Sequence, residues 1–123
     1  MDYKEVLIEL LLEKQNSSKV EHLKSEYIGK ICMVRTYSAG VFYGELVAKA
    51  GKEVRIKNAR RVWCWYGAAS LSELAMKGTS KPTDCKFPVI VESVELVEAI
   101  EIIPMTQEAI DSLNGVQIWT AQK

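Results

Sequence analysis

The residues best suited to chemistry lie between positions 49 and 66, where basic side chains are followed by aromatic ones. Glu53 is the only acidic residue among the basic ones, which are Lys49, Lys52, Arg55, Lys57, Arg60 and Arg61. One arginine side chain can bind two oxygens of a phosphate group at once, and an aromatic ring can stack on a nucleobase. This pattern predicts a site for a phosphorylated ligand with an aromatic base, with Arg60 and Arg61 as phosphate contacts.

Neighbouring residues complete the predicted site. The Asn58 amide could bind a base edge or a ribose hydroxyl. In the turn at 38–40, Gly40 allows a ligand to approach the backbone closely, and N–H groups exposed in such turns favour anions. The full set of candidate ligand-binding residues is Arg35, Tyr37, Ser38, Gly40, Phe42, Asn58, Arg60, Arg61, Trp63, Trp65 and Phe87, in which the aromatic residues would stack on the ligand or form pocket walls.

The same residues also fit a purely structural interpretation. The basic face could pair with the acidic residues Glu92, Glu95, Glu98 and Glu101. A sheet face that carries two tryptophans is often core, and a tight hairpin with a left-handed glycine needs no ligand. The sequence pattern alone leaves the two interpretations open.

Nothing in the sequence predicts catalysis. The only histidine is His22, which falls on a predicted helix face, and no Walker loop, dinucleotide fingerprint, nucleophile elbow or metal-binding motif is present. The three cysteines are widely spaced and form no CxxC pair, so no zinc site is expected. The three-residue spacing of the acidic residues does not gather carboxylates on one face of a strand. We therefore expect a protein that is not an enzyme and has no metal or cofactor.

Composition predicts one globular domain over residues 1–123. The formal net charge is zero, which argues against a dedicated duplex-DNA binder. The apolar run near the N-terminus is short and carries charges, so neither a signal peptide nor a membrane span is expected. With reduced cysteines as the simplest interpretation, the sequence predicts a cytoplasmic protein.

Periodicity predicts an α+β fold, an antiparallel β meander with an N-terminal helix and two short helices. Helices are predicted at 2–16 and 18–27, and the first is apolar on two faces, so residues 1–28 are expected to serve oligomerisation. The remainder, 31–119, is the predicted sheet-based binding region. Its strands are expected at 31–37, 41–49, 53–57, 61–66, 87–91, 94–103 and 116–119, with helices at 71–77 and 107–113.

Four stretches of this chain resemble a family of small phage proteins, the first-described class of Thoeris anti-defence proteins. They are RTYSAGVFYGEL (35–46), GKEVRIKNARRVWCWYGAASLSELA (51–75), CKFPV (85–89) and VEAIEIIP (97–104). The resemblance implies a phage or prophage protein that acts as a sponge in the bacterial host cell. Such a protein would bind the cyclic ADP-ribose-type signal of TIR-domain defence proteins and hold it intact.

The resemblance also implies homodimers that assemble into hexamers, with ligand pockets between subunits, and cyclic trinucleotides at a separate site in some members. Two other hypotheses follow from the residues alone. One is a single-stranded nucleic-acid binder that uses the same basic and aromatic face. The other is a structural or protein-interaction module in which the tryptophans belong to the core.

Overall fold

The computed structural model describes residues 26–121, in which five strands and two α-helices form an α+β fold, as predicted. The predicted helices at 2–16 and 18–27, and with them the oligomerisation segment, fall on residues outside this part except for 26–28, which lie in a turn. The strands are β1 (Ile31–Thr36), β2 (Val41–Ala50), β3 (Glu53–Arg61), β4 (Val91–Leu96) and β5 (Ala99–Pro104); the helices are α1 (Leu71–Lys77) and α2 (Gln107–Asn114), and a 3-10 turn spans Pro82–Asp84.

The sheet curls into a partly closed barrel. Its antiparallel strands run in the order β4-β3-β2-β1-β5, so β4 and β5 lie at opposite edges. In a flat sheet these edges would be about 19 Å apart. The Cα atoms of Leu96 and Ala99, which end β4 and begin β5, are only three residues apart and can be separated by at most about 11 Å. The edges must therefore approach each other.

Both faces of the sheet are packed. The inner core, inside the barrel, has contributions from all five strands and consists of Cys32, Val34, Phe42, Leu46, Val54, Ile56, Ala59, Leu96 and Ala99. The outer core lies under the two helices and consists of Met33, Tyr43, Val62, Leu74, Ala75, Cys85, Phe87, Leu113 and Val116. The helices begin where the sequence predicts, because Ser70 and Thr106 accept hydrogen bonds from the backbone N–H groups of Glu73 and Ala109.

A bulge in β3 decides which way the end of that strand faces. Asn58 has a φ of 51°, and two residues of β3, Asn58 and Ala59, lie opposite the single residue Gly44 of β2. Before the bulge, Val54 and Ile56 face the inner core; after it, Ala59 does so instead. Arg60 consequently points to the outer core, whereas regular alternation would have placed it inside the barrel.

Several predicted strands need correction. The strands predicted at 53–57 and 61–66 are one strand, β3, followed by irregular chain in which Cys64 makes an isolated bridge to Lys86. The predicted strand 94–103 is two strands, β4 and β5, because the chain turns at Val97 and Glu98. The segment predicted as strand 87–91 joins the sheet only at Val91, and that predicted at 116–119 contributes one parallel bridge, between Phe87 and Ile118.

Candidate functional site

The turn at 38–40 and the end of β3 meet and form an open cleft. The backbone N–H of Val62 donates to the carbonyl oxygen of Val41 at 2.8 Å, which joins the chain after β3 to the start of β2. The resulting cleft has a volume of about 430 Å³. We call it the turn cleft; it is lined by Ser38, Ala39, Gly40, Val41, Arg61, Val62 and Trp63. Four of the predicted site residues, Ser38, Gly40, Arg61 and Trp63, therefore lie in one place.

Local hydrogen bonds hold the turn in shape. The Thr36 hydroxyl donates to the carbonyl oxygen of Gly40 at 2.7 Å and accepts from the N–H of Ala39 at 2.9 Å. Gly40 has a φ of 90°, a conformation that few other residues adopt readily. The N–H of Tyr37 donates to the carbonyl oxygen of Glu98 at 3.0 Å. These bonds engage the N–H of Ala39, one of the turn N–H groups that the sequence suggested as anion contacts, and the N–H of the neighbouring Tyr37.

Arg61 is held at the mouth of the barrel by an aromatic ring. Its guanidinium carbon lies 4.6 Å from the ring centroid of Phe42, a distance typical of a cation–π contact. Within residues 26–121 the ion pairs are Arg35 with Glu101 and Arg55 with Glu95, so Arg61 has no carboxylate partner there. The guanidinium is thus oriented by packing on Phe42, and within residues 26–121 it forms no ion pair.

Two exposed tryptophans stack beside the cleft. Trp63 is 63% exposed and lies nearly parallel to Trp119, with ring centroids 6.4 Å apart and an interplanar angle of 14°. The Lys86 ammonium lies 5.6 Å from the centre of the Trp119 ring. Trp119 and Lys86 could not be predicted from the sequence, because both are brought here by contacts between distant parts of the chain. The alternative in which the tryptophans are core is wrong for Trp63.

Arg60, the other predicted phosphate contact, is buried and must be reassigned. Only 2% of the residue is exposed. Its Nε donates to the Pro88 carbonyl at 3.2 Å and its Nη1 to the Leu113 carbonyl at 3.1 Å and the Tyr43 hydroxyl at 3.4 Å. Its Nη2 donates to the carbonyl oxygens of Phe87 and Val116, at 3.3 Å and 2.8 Å. All three guanidinium nitrogens are occupied, so Arg60 does not reach a ligand.

Three predicted aromatic candidates are structural. Phe42 lies in the inner core and Phe87 in the outer core, where Phe87 meets the Tyr43 ring edge-on at 6.4 Å. Trp65 packs against the outer core. Their aromatic character is therefore explained by burial, apart from the face of Phe42 that supports Arg61.

The remaining predicted residues lie outside the cleft lining. Asn58 is exposed and forms the bulge. Arg35 pairs with Glu101, with 3.6 Å between Nε and Oε1, and Tyr37 is 78% exposed next to Ser38. The structural interpretation is correct to the extent that Arg55, from the basic stretch, pairs with the acidic Glu95.

An acidic group limits where an anion can sit. The Ser38 hydroxyl donates to Glu98 Oε1 at 3.4 Å, which places a carboxylate beside the turn. Like charges repel, so an anionic ligand group is expected at the Arg61 end of the turn cleft and away from Ser38.

Two titratable groups in the described part of the chain, Cys32 and Tyr43, have raised pKa values because they are buried. Burial raises the pKa of the Cys32 thiol to about 11, although nearby Lys30 opposes the shift. Burial also raises the pKa of the Tyr43 hydroxyl, against the opposing effect of Arg60. Among residues 26–121 no three His, Cys, Asp or Glu side chains are grouped as a metal site would require. Over the same residues, no helix has the length and apolar character needed to cross a membrane.

Fold and site together define a small α+β protein with a partly closed barrel and an open, basic and aromatic cleft at one end. Residues 29–113 match a family model described as Domain of unknown function (DUF6948). Because the match covers more than half of the chain, the protein belongs to the DUF6948 family. No curated protein and no solved structure matches the chain.

Proposed function

We propose that this protein binds a phosphorylated small molecule with an aromatic base in the turn cleft and holds it without chemical change. The observation that carries the proposal is the meeting of the 38–40 turn, the Arg61 guanidinium and the exposed Trp63 ring in one cleft. The guanidinium suits phosphate oxygens, and the indole suits a base. Glu98 at the other end of the turn favours one orientation, with the phosphates at Arg61.

The ligand we propose is a cyclic ADP-ribose-type signal of TIR-domain defence proteins, on the strength of the sequence resemblance described above. Such a molecule carries a diphosphate and an adenine, which are the two groups that Arg61 and Trp63 suit. Nanomolar affinity corresponds to about 12 kcal/mol, which charge-assisted bonds, stacking and burial in a cleft can supply together. On this proposal the protein is a non-enzymatic sponge in the cytoplasm of a bacterial host, assembled from homodimers into hexamers.

The proposal is tested by incubating the purified protein with glycocyclic ADP-ribose, removing unbound ligand, and heating the protein to release what it holds. We expect the ligand to be recovered intact by chromatography. Recovery of a linear product would contradict sequestration and indicate an enzyme. Absence of any bound ligand, or of a thermal shift with it, would contradict the ligand assignment.

Arg61→Ala identifies the site, and Arg55→Ala is its matched control. Both arginines lie on β3 and both changes remove one positive charge, but Arg55 pairs with Glu95 and does not line the turn cleft. Loss of hydrogen bonds to a charged group costs about 1.5–3 kcal/mol, so Arg61→Ala should weaken binding by about 10- to 100-fold. Equal losses in the two variants would mean that the ligand binds elsewhere.

The exposed Trp63–Trp119 stack favours one alternative, a single-stranded nucleic-acid binder. An oligonucleotide titration at increasing salt distinguishes it from the sponge. A strand bound through its phosphates loses affinity steeply as the salt concentration increases. Oligonucleotide binding with that dependence, together with no retention of the cyclic nucleotide, would replace the proposed function with this one.

A further inference from the structure

The Arg60 guanidinium joins the segments of chain that carry the exposed tryptophans. Arg60 lies near the end of β3, three residues before Trp63. One of its nitrogens, Nη2, donates to the carbonyl oxygens of both Phe87 and Val116. Val116 lies three residues before Trp119. A single buried group thus links the backbone on both sides of the tryptophan pair.

The Phe87 carbonyl oxygen connects the Arg60 guanidinium to Trp119. That oxygen accepts the N–H of Trp119 at 2.9 Å as well as the Arg60 Nη2 at 3.3 Å. Phe87 also pairs with Ile118 in a parallel bridge. The backbone position of Trp119 is therefore fixed against the same peptide group that the guanidinium holds.

Trp119 in turn limits the position of Trp63. Trp119 lines a second cleft, of about 540 Å³, whereas Trp63 lines the turn cleft, and the two rings stack on each other. Trp63 is largely exposed and lies in the irregular chain after β3, and within residues 26–121 its ring stacks on Trp119. Displacement of Trp119 would leave the Trp63 ring without this support.

We infer that Arg60 is a positioning residue, which sets the Trp63 wall of the turn cleft through the Phe87 carbonyl and Trp119. The ligand-binding consequence rests on the proposed function, but the positioning itself does not. The mechanism explains why a buried cation has no carboxylate partner in the described part of the chain: its partners are backbone carbonyls that must be kept in place. Leu113, one of them, is in the last turn of α2, where the helix dipole favours a positive charge.

The chemistry of the contacts requires arginine. Five hydrogen bonds leave from Nε, Nη1 and Nη2 in the plane of one guanidinium. Lysine has a single nitrogen with three donors and cannot reach carbonyls on several sides at once. Arg60→Lys therefore keeps the positive charge but loses the planar arrangement of hydrogen-bond donors. It separates the effect of that arrangement from the effect of the charge.

The test uses the full chain labelled with 5-fluorotryptophan, whose fluorine resonances are assigned by single Trp→Phe changes. Trp119→Phe defines where the Trp63 resonance lies without its indole neighbour. In ligand-free Arg60→Lys we expect the Trp63 resonance to move from its wild-type position toward that reference. Ile56→Val is the control for lost stability, since Ile56 lies in the inner core whereas Phe87, Leu113 and Val116 lie in the outer core, and its Trp63 resonance should stay at the wild-type position.

A Trp63 resonance that stays at its wild-type position in folded Arg60→Lys would overturn the inference. If Arg60→Lys does not fold, Arg60→Gln is used, because its neutral amide leaves no buried charge unpaired and is too short to bind all the carbonyls that the guanidinium holds; an unmoved Trp63 resonance there overturns the inference equally. With glycocyclic ADP-ribose as the probe, Arg60→Lys should bind about tenfold more weakly, as expected for a displaced stacking surface. If the wild type does not bind the probe, the proposed function fails while the fluorine shifts still decide the role of Arg60.

Discussion

Gly44→Ala should destabilise the protein by crowding the barrel interior at the β3 bulge. A Cβ at Gly44 would lie 2.4 Å from Ile56 Cγ2, 2.9 Å from the Lys57 carbonyl oxygen and 3.1 Å from the Ala59 Cα. Carbon atoms pack favourably at about 3.5–4.0 Å, so the nearest contact is more than about 1 Å too short. Two of the three atoms are backbone and cannot rotate away. Overpacking of this kind costs about 1–3 kcal/mol, which corresponds to a fall in Tm of roughly 5–20 °C.

Urea unfolding followed by fluorescence measures this change, with Gly51→Ala as the matched control. Gly51 has a φ of 61° and open space around it, so its substitution adds backbone strain without a clash. Ile56→Ala removes the clashing methyl group and should therefore be non-additive with Gly44→Ala, by about 0.5–3 kcal/mol, but additive with Gly51→Ala. If Gly44→Ala unfolded at the wild-type urea concentration, or added to Ile56→Ala without coupling, the assignment of Gly44 to a crowded interior would be refuted.

Three further outcomes are expected. Burial raises the Cys32 pKa from 9.0 to about 11. Between pH 9 and pH 11 the Cys32 thiol therefore keeps its proton in the folded state and loses it in the unfolded state. The free energy of unfolding should therefore decrease as pH increases from 9 to 11, and urea titrations should show a shallower decrease in Cys32→Ala. Ser70→Ala removes the side-chain cap on the N–H of Glu73 and should cost about 0.5–2 kcal/mol, measured by thermal unfolding. Arg55→Ala breaks an exposed pair with Glu95 and should change the free energy of unfolding by less than about 1 kcal/mol; a larger loss would show that this pair is not solvent-screened.

The parts of the fold that could be predicted from the sequence are those with local signals. Ser70 and Thr106 are capping residues, and both helices begin directly after them. The hairpins of β1, β2 and β3 follow from apolar alternation and from Gly40 and Gly51, which both have positive φ. Each of these features depends on a few neighbouring residues, which is why the pattern was sufficient.

The barrel could not be predicted in the same way. The segment 94–103, predicted as one strand, gives no local signal of its turn, since Val97 and Glu98 are neither glycine nor proline. The turn becomes favourable only when the two edge strands pair with β3 and β1 on either side of the curled sheet. A hydrogen bond from the N–H of Ala99 to the Lys52 carbonyl oxygen then fixes it. These contacts join residues that are far apart in the sequence, and the periodicity of apolar residues along the chain does not predict such contacts.

Arg60 and Arg61 show how far the candidate site could be predicted. Residue type indicated that both guanidinium groups bind polar atoms. Arg60 binds four backbone carbonyls and one hydroxyl, whereas Arg61 lies in the turn cleft, where we propose that a ligand binds. The bulge at Asn58 determines which of the two arginines reaches solvent. An asparagine within a basic stretch does not by itself predict a positive φ. Strict alternation from Ile56 would place Arg60 inside the barrel, where no polar group of the inner core could bind it. The bulge avoids that cost and assigns the two arginines opposite environments.

This assignment couples the stability of the protein to the shape of its cleft. Arg60 is satisfied only if the chain at 87–88 and the chain after α2 both return to the end of β3. Those same segments place Trp119 beside Trp63, and Lys86 over the Trp119 ring. A chain that leaves the Arg60 guanidinium without partners pays a desolvation penalty of several kcal/mol, so folding selects the arrangement in which the tryptophan wall is assembled. The cleft is therefore expected to be formed before any ligand arrives, and a preformed cleft would favour tight binding of the proposed ligand.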